Sequence, residues 1–128
     1  MTLLLDTHVF LWALMEPDRL SRRVRGLLLD PGTQLLVSAA SGWEVATKYR
    51  LGKLPGAAAL MADYAAGLAG LDASVLPISN AHALAAGSFS QPHRDPFDRM
   101  LAAQAKLEML PLATQDAAFN AFGIELLW

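Results

Sequence analysis

Asp6, Glu44, Asp98 and Asp116 are carboxylates far apart along the chain, each in or beside an apolar segment. An unpaired carboxylate is expensive to bury. Asp6 follows Leu3-Leu4-Leu5, and Asp116 follows Leu110-Pro111-Leu112-Ala113-Thr114. Both stand just past the C-terminal end of an expected strand, the edge at which open α/β sheets bind ligands. A hard cation is the partner that best explains carboxylates gathered there. Mg²⁺ and Mn²⁺ take oxygen ligands, and Mg²⁺ keeps several waters beside one or two direct carboxylates. The remaining acids can hold those waters. Such ions activate water and stabilise the attacking and leaving oxygens of a phosphodiester, which is nuclease chemistry.

Each acid also has an ordinary explanation. Asp6 can cap the helix after it. Glu44 lies four residues before Lys48, the spacing of a helical ion pair, although Trp43, Val45 and Ala46 indicate a largely buried helix. Asp98 falls at the third position of its helix and suits the helix dipole. Asp116 can start a short helix. Their joint placement at one sheet edge favours the metal reading.

The elements that must position them alternate in type. Strand-like runs occur at Leu3–Leu5, Leu35–Val37, Val75–Ile78, Leu112–Thr114 and Ile124–Leu127. Between them, helices are expected at Thr7–Met15, at Arg22–Asp30 behind Ser21, and from Ser38 or Ser41 to about Leu51. Further helices are expected over Gly56–Gly70, over Asn80–Ala86 behind Ser79, and from Asp95-Pro96 to about Met109. A last short one covers Ala117–Ala121 before Gly123. The alternation predicts an α/β domain over residues 1–128, with a central, mostly parallel sheet flanked by helices.

Composition agrees with a folded domain: 54% of the 128 residues are hydrophobic and 17% charged. No apolar run reaches the roughly 20 residues of a membrane span. No signal peptide is evident, and there is no cysteine for disulfides, thiolate zinc sites or thiol nucleophiles. A cytoplasmic location is expected. The net charge of −2 does not exclude nucleic acid, because without the four acids the chain is net positive. Seven arginines stand against three lysines, and Arg suits phosphate recognition. Arg19, Arg22, Arg23 and Arg25 form one basic group, and Lys48, Arg50 and Lys53 another. Arg94 and Arg99 flank the third acid and are the expected substrate contacts, unless they pair with a neighbouring Asp. His8, His82 and His93 lack metal-ligand spacing and read as structural, with His93 placed in the loop before Asp95.

Four stretches carry a resemblance: Leu3-Leu4-Leu5-Asp6-Thr7-His8-Val9-Phe10-Leu11-Trp12; Ser38-Ala39-Ala40-Ser41-Gly42-Trp43-Glu44-Val45-Ala46-Thr47-Lys48; His93-Arg94-Asp95-Pro96-Phe97-Asp98-Arg99-Met100-Leu101-Ala102-Ala103-Gln104-Ala105; and Pro111-Leu112-Ala113-Thr114-Gln115-Asp116. In this order and spacing the chain resembles PIN-domain ribonucleases, specifically VapC-type toxins of toxin–antitoxin pairs. The resemblance implies a PIN fold and Mg²⁺- or Mn²⁺-dependent cleavage of RNA. It implies a homodimer and a VapB-type antitoxin that blocks the site. Asp6, Glu44 and Asp98 match the first three family acids and Asp116 the more variable fourth. Asp6 and Asp98 are the expected direct metal ligands, with Asp95 a rival for the third place. Gly42 departs from the family pattern, where a bulkier apolar residue is usual. Leu11, Trp12, Leu14, Tyr49 and Leu51 are candidates for the apolar docking surface. Two other readings keep the scaffold: a silent module that binds RNA or a partner, and a Mg²⁺-dependent phosphatase. The second lacks an evident nucleophilic Asp motif and lysine.

Overall fold

Three consecutive leucines, Leu3 to Leu5, are fully buried in β1 (Thr2–Leu5). Successive strand side chains point to opposite faces, so a run apolar at every position is explained only if both faces are covered. They are. Leu3 and Leu5 join one core with Val9, Phe10, Val24, Val37 and Val45. Leu4 joins another with Leu101, Ala102, Ala105, Leu112, Phe119 and Phe122.

The computed structural model describes residues 1–128. The remaining elements are α1 (Thr7–Met15), α2 (Arg22–Leu29), β2 (Gln34–Ser38), α3 (Ala39–Arg50), α4 (Ala58–Ala62), α5 (Tyr64–Gly70), β3 (Ala73–Leu76), α6 (Asn80–Ser88), α7 (Pro96–Leu107), β4 (Leu112–Ala113) and β5 (Leu126–Leu127). Short 3₁₀ turns lie at Pro17–Arg19, Pro55–Ala57 and Ala117–Phe122. The sheet is parallel throughout, in the order β3-β2-β1-β4-β5. The chain builds outward from β1 through β2 to β3, then returns to β1's other side with β4. The switch point therefore lies between β1 and β4, where a doubly wound sheet opens its ligand crevice. Asp6 and Thr114 are the residues immediately past those two strands.

Several local expectations are corrected. The helix expected over Gly56–Gly70 is broken into α4 and α5 at Asp63, whose side chain accepts from Ala66 N at 3.0 Å as a cap. The break packs α4 against α5, and a Cβ on Gly67 would stand 2.5 Å from Leu60 Cδ1, so the Leu60 side chain would have to shift to admit one. β3 starts two residues earlier than expected and ends at Leu76, because Pro77 has no N–H to continue the ladder. The last helix is a 3₁₀ segment closed by Gly123 at φ 67°. Of the five candidates for apolar docking surface, four take the alternative role of ordinary core: Leu11 is buried, and Trp12, Leu14 and Tyr49 pack half-buried on the core. Only Leu51 is exposed. No helix is long and apolar enough to cross a membrane.

Candidate metal centre

Asp6 occupies the position before α1, yet its side chain makes no capping bond. Asp6 Oδ2 instead accepts from Thr114 Oγ1 at 2.8 Å, across the switch point. Thr114 Oγ1 in turn accepts from Asp116 N at 3.0 Å, so one hydroxyl ties the β1 and β4 ends together. Asp6 is only 4% exposed. Burial pushes its pKa upward, and the Glu44 charge adds to that push. The Thr114 bond and the nearby His8 oppose it.

α3 starts where Ser38 caps Ala40 N at 3.0 Å. It is held to α1 by the buried Thr7–Ser41 hydroxyl pair at 2.8 Å. The contact aligns the helix carrying Glu44 with the strand end carrying Asp6. Glu44 is buried and forms the expected ion pair with Lys48 through Oε2. Its other oxygen, Oε1, is buried with no hydrogen-bond partner. Burial opposes the Lys48 charge, but Glu44, Asp95 and Asp98 together raise its pKa. Lys48 is thus the cation that the cluster shares. The space over Gly42 is taken by Tyr64, whose Oη would lie 3.5 Å from an added Cβ.

α7 begins with Pro96 after Asp95, whose Oδ1 accepts from Phe97 N at 2.9 Å and Asp98 N at 3.2 Å. Asp95 thereby serves as the cap, and Asp98 presents its carboxylate beyond it. Asp98 Oδ2 meets His93 Nε2 at 2.9 Å. The Asp98 pKa is pushed up to about 6, first by burial, then by Asp95, Asp6 and Glu44, with His93 opposing. Asp6, Glu44 and Asp98 are therefore brought within electrostatic reach of one another. Asp116 is not part of that mutual repulsion. It is exposed, spends Oδ1 on Ala118 N at 2.9 Å, and shares only a cavity wall with Asp6.

The two candidate substrate arginines part company. Arg99 is corrected from substrate contact to loop clamp: it donates to the carbonyls of Ala86, Phe89, Gln91 and His93 at 2.7–3.0 Å. Those bonds shape residues 87–94 and deliver His93 to Asp98. Arg94 is exposed and engages no carboxylate. Two features were missed from sequence. Trp43, 59% exposed, meets Phe97 edge-on at 4.7 Å beside Glu44 and Asp98. The cavity lined by Asp6 and Asp116 is lined also by His8, Trp12 and Arg19. The four-residue spacing of His8 and Trp12 on one helix was the available signal.

The donor set suits a hard cation. It offers an orphaned buried oxygen on Glu44 and two carboxylates whose pKa values are raised by burial and like charge. No three His, Asp or Glu side chains are drawn together tightly enough to enclose an ion alone. A hydrated Mg²⁺ with one or two direct carboxylates does not need that enclosure.

The family model for the PIN domain matches residues 3–125. No curated protein matches the sequence. Among solved structures, the chain is similar to VapBC2 from Rickettsia felis bound to a DNA fragment from their promoter, at 16% identity and TM-score 0.66, covering 99% of this chain and 98% of that one. It is similar to FitAcB from Neisseria gonorrhoeae at 23% identity and TM-score 0.64, covering 98% and 96%. It is also similar to VapBC-1 from nontypeable Haemophilus influenzae at 18% identity and TM-score 0.62, covering 99% and 97%. At these identities the likeness shows the fold.

Proposed function

The chain belongs to the PIN domain family, and on that premise we propose that it is a metal-dependent endoribonuclease, the toxin of a pair silenced by a VapB-type antitoxin. PIN domains are generally nucleases that use divalent ions. The observation that carries the reading is the set of Asp6, Glu44 and Asp98 at the switch point, mutually repulsive and with Glu44 Oε1 unpartnered. The toxin role and the antitoxin are supported by near-full-length likeness to VapBC structures; a homodimer is part of the same reading.

Asp6 and Asp98 would hold Mg²⁺ or Mn²⁺ directly, with Glu44 and Asp116 engaging its waters. When bound, the ion supplies an activated water and charge stabilisation for in-line displacement at phosphorus, leaving 5′-phosphate and 3′-hydroxyl ends. The chain's own residues prepare that site. Thr114 fixes the Asp6 carboxylate, and His93 holds one oxygen of Asp98. Lys48 pins one oxygen of Glu44 and leaves the other available. Arg94, exposed in the loop before Asp95, would be the residue to meet the RNA backbone.

The experiment is incubation of purified, antitoxin-free protein with cellular RNA under Mg²⁺, Mn²⁺ or EDTA, beside Asp6→Ala. Discrete cuts that require metal and disappear in the variant are expected. Intact RNA under every condition, from folded protein, would overturn the reading.

A further inference from the structure

Each of the three mutually repelling acids has one oxygen held by a side-chain donor, and each donor comes from a different element. Thr114 Oγ1, just past β4, donates to Asp6 Oδ2 at 2.8 Å. Lys48 Nζ, one turn further along α3, donates to Glu44 Oε2. His93 Nε2, from the loop before α7, meets Asp98 Oδ2 at 2.9 Å. No side chain donates to Asp6 Oδ1, Glu44 Oε1 or Asp98 Oδ1. The Thr7 amide helps lower the Asp6 pKa but makes no capping bond to it. The pattern is one engaged and one spare oxygen on every acid.

Each donor is itself fixed. Thr114 is buried, and its Oγ1 accepts from Asp116 N at 3.0 Å, so its single hydrogen is left for Asp6. Lys48 stands four residues after Glu44 on one helix, where the two side chains are neighbours. Asp95 and Asp98 add to the charge that holds its ammonium there. The His93 carbonyl is bound by Arg99 at 3.0 Å. Its ring packs against Phe122 and Phe119, with centroids 5.8 Å and 6.4 Å away. An ionised carboxylate only accepts, so Nε2 is the ring nitrogen that carries the proton toward Asp98.

We propose that Thr114, Lys48 and His93 set the metal preference of this site: by taking one oxygen of each acid they leave it single-oxygen ligands, which suit Mg²⁺ and disfavour Ca²⁺. The inference rests on the metal-dependent reading above and adds to it the residues that select the ion. Ca²⁺ takes about six to eight oxygens and gains from carboxylates that give both of theirs. Mg²⁺ demands near-octahedral geometry, keeps several waters and uses one or two carboxylates. For an acid here to grip Ca²⁺ with both oxygens, it must give up its Thr114, Lys48 or His93 bond. Mg²⁺ asks for no such exchange. The two ions carry the same charge, so the net charge of the cluster does not select between them, whereas the number of free oxygens does.

The ratio of the two dissociation constants therefore supplies the test. The melting temperature of metal-free protein is measured against Mg²⁺ and against Ca²⁺ concentration, which gives a Kd for each ion. The parent is compared with Thr114→Val, Lys48→Met and His93→Phe, which free an oxygen from three separate elements, and with Lys48→Arg, which keeps a donor. The parent should bind Mg²⁺ more tightly than Ca²⁺. Each of the three variants should lower the Ca²⁺-to-Mg²⁺ Kd ratio about tenfold. Lys48→Arg should stay near the parent ratio. A donor that only supports the fold would weaken both ions alike and leave the ratio unchanged, and that result would overturn the proposal. A parent that binds Ca²⁺ as tightly as Mg²⁺ would also overturn it, with the metal-dependent reading still standing. A parent moved by neither ion would overturn it as well, and its response to Mn²⁺ then decides whether the metal-dependent reading falls too.

Discussion

His82 and Asp6 are both buried and polar, at 3% and 4% exposure, but their surroundings are opposite. His82 Nδ1 accepts from Ser79 N at 3.0 Å, and Ser79 Oγ accepts from His82 N at 3.1 Å, a capping box with histidine in the usual Glu or Gln place. His82 Nε2 meets Glu108 Oε1 at 2.8 Å, joining α6 to the end of α7. Gln104 adds a bond to the Pro77 carbonyl at 3.2 Å and leaves only its Oε1 over. Around Asp6 stand the buried Glu44 and the half-buried Asp98, with one shared, half-buried lysine, raised pKa values on Asp6 and Asp98, and an orphaned oxygen on Glu44. The first cluster stabilises the fold by pairing its histidine on both ring nitrogens, with no like charges gathered, although Gln104 Oε1 stays without a partner. The second is destabilising on its own, a pattern characteristic of functional sites, and the proposed cation would relieve it.

The comparison breaks most sharply in activity. Asp6→Asn and Asp98→Asn should each reduce RNA cleavage well beyond the roughly hundredfold loss typical of an outer-shell partner, read from initial rates in Mg²⁺. His82→Ala should leave the specific rate of folded protein unchanged. Its effect belongs to stability: loss of half a capping box and of the α6–α7 link should cost about 2–3 kcal/mol in urea unfolding. A His82 variant that loses activity at full stability would erase the distinction.

Thr114→Val sharpens it at smaller scale. Removing the hydroxyl that orients Asp6 should weaken Mn²⁺ affinity about tenfold, measured by calorimetry, while the apolar replacement keeps the volume. An unchanged affinity would mean that Asp6 is positioned by its backbone alone.

The smallest effect is a pH trend in metal-free protein. Burial pushes the folded Asp98 pKa up to about 6, above its ordinary value of 3.8. Between those values the folded state binds more protons than the unfolded one, so Asp98's contribution to stability falls as pH rises through that window. Comparing Asp98→Asn with the parent isolates this contribution: the melting-temperature difference between them should grow from pH 4 to pH 7. A difference constant with pH would show that the carboxylate is not strained.

Much of the frame was readable because local chemistry decides it. Thr7–Met15 matches its expected bounds, and Ser21, Ser38, Ser79 and Asp95 all cap the helices assigned to them. Asp63 illustrates the limit: alanine-rich flanks suggested one helix, and the packing of α4 against α5 at Gly67 is a tertiary contact. Asp6, Glu44 and Asp98 were legible as neighbours because each follows or sits within an apolar element, whereas Asp116 keeps the ordinary role of starting the last turn. Whether a neighbouring side chain serves ligand or backbone was not legible. Arg94 and Arg99 are equivalent by position, yet only the path of the 87–94 loop, with four carbonyls converging, assigns Arg99 to structure. The Arg19–Trp12 stack was equally hidden, since a turn at Pro17–Arg19 brings the two together.

The most direct test of the central claim is thermal unfolding of the purified protein with and without Mn²⁺, for the parent, Asp6→Asn and Asp98→Asn. An ion that relieves the carboxylate repulsion binds only the folded state and stabilises it by mass action. The parent's melting temperature should therefore rise with Mn²⁺, and that rise should be lost in both variants. A parent unmoved by metal, or variants that respond as strongly as the parent, would contradict the assignment of Asp6 and Asp98 as a metal site.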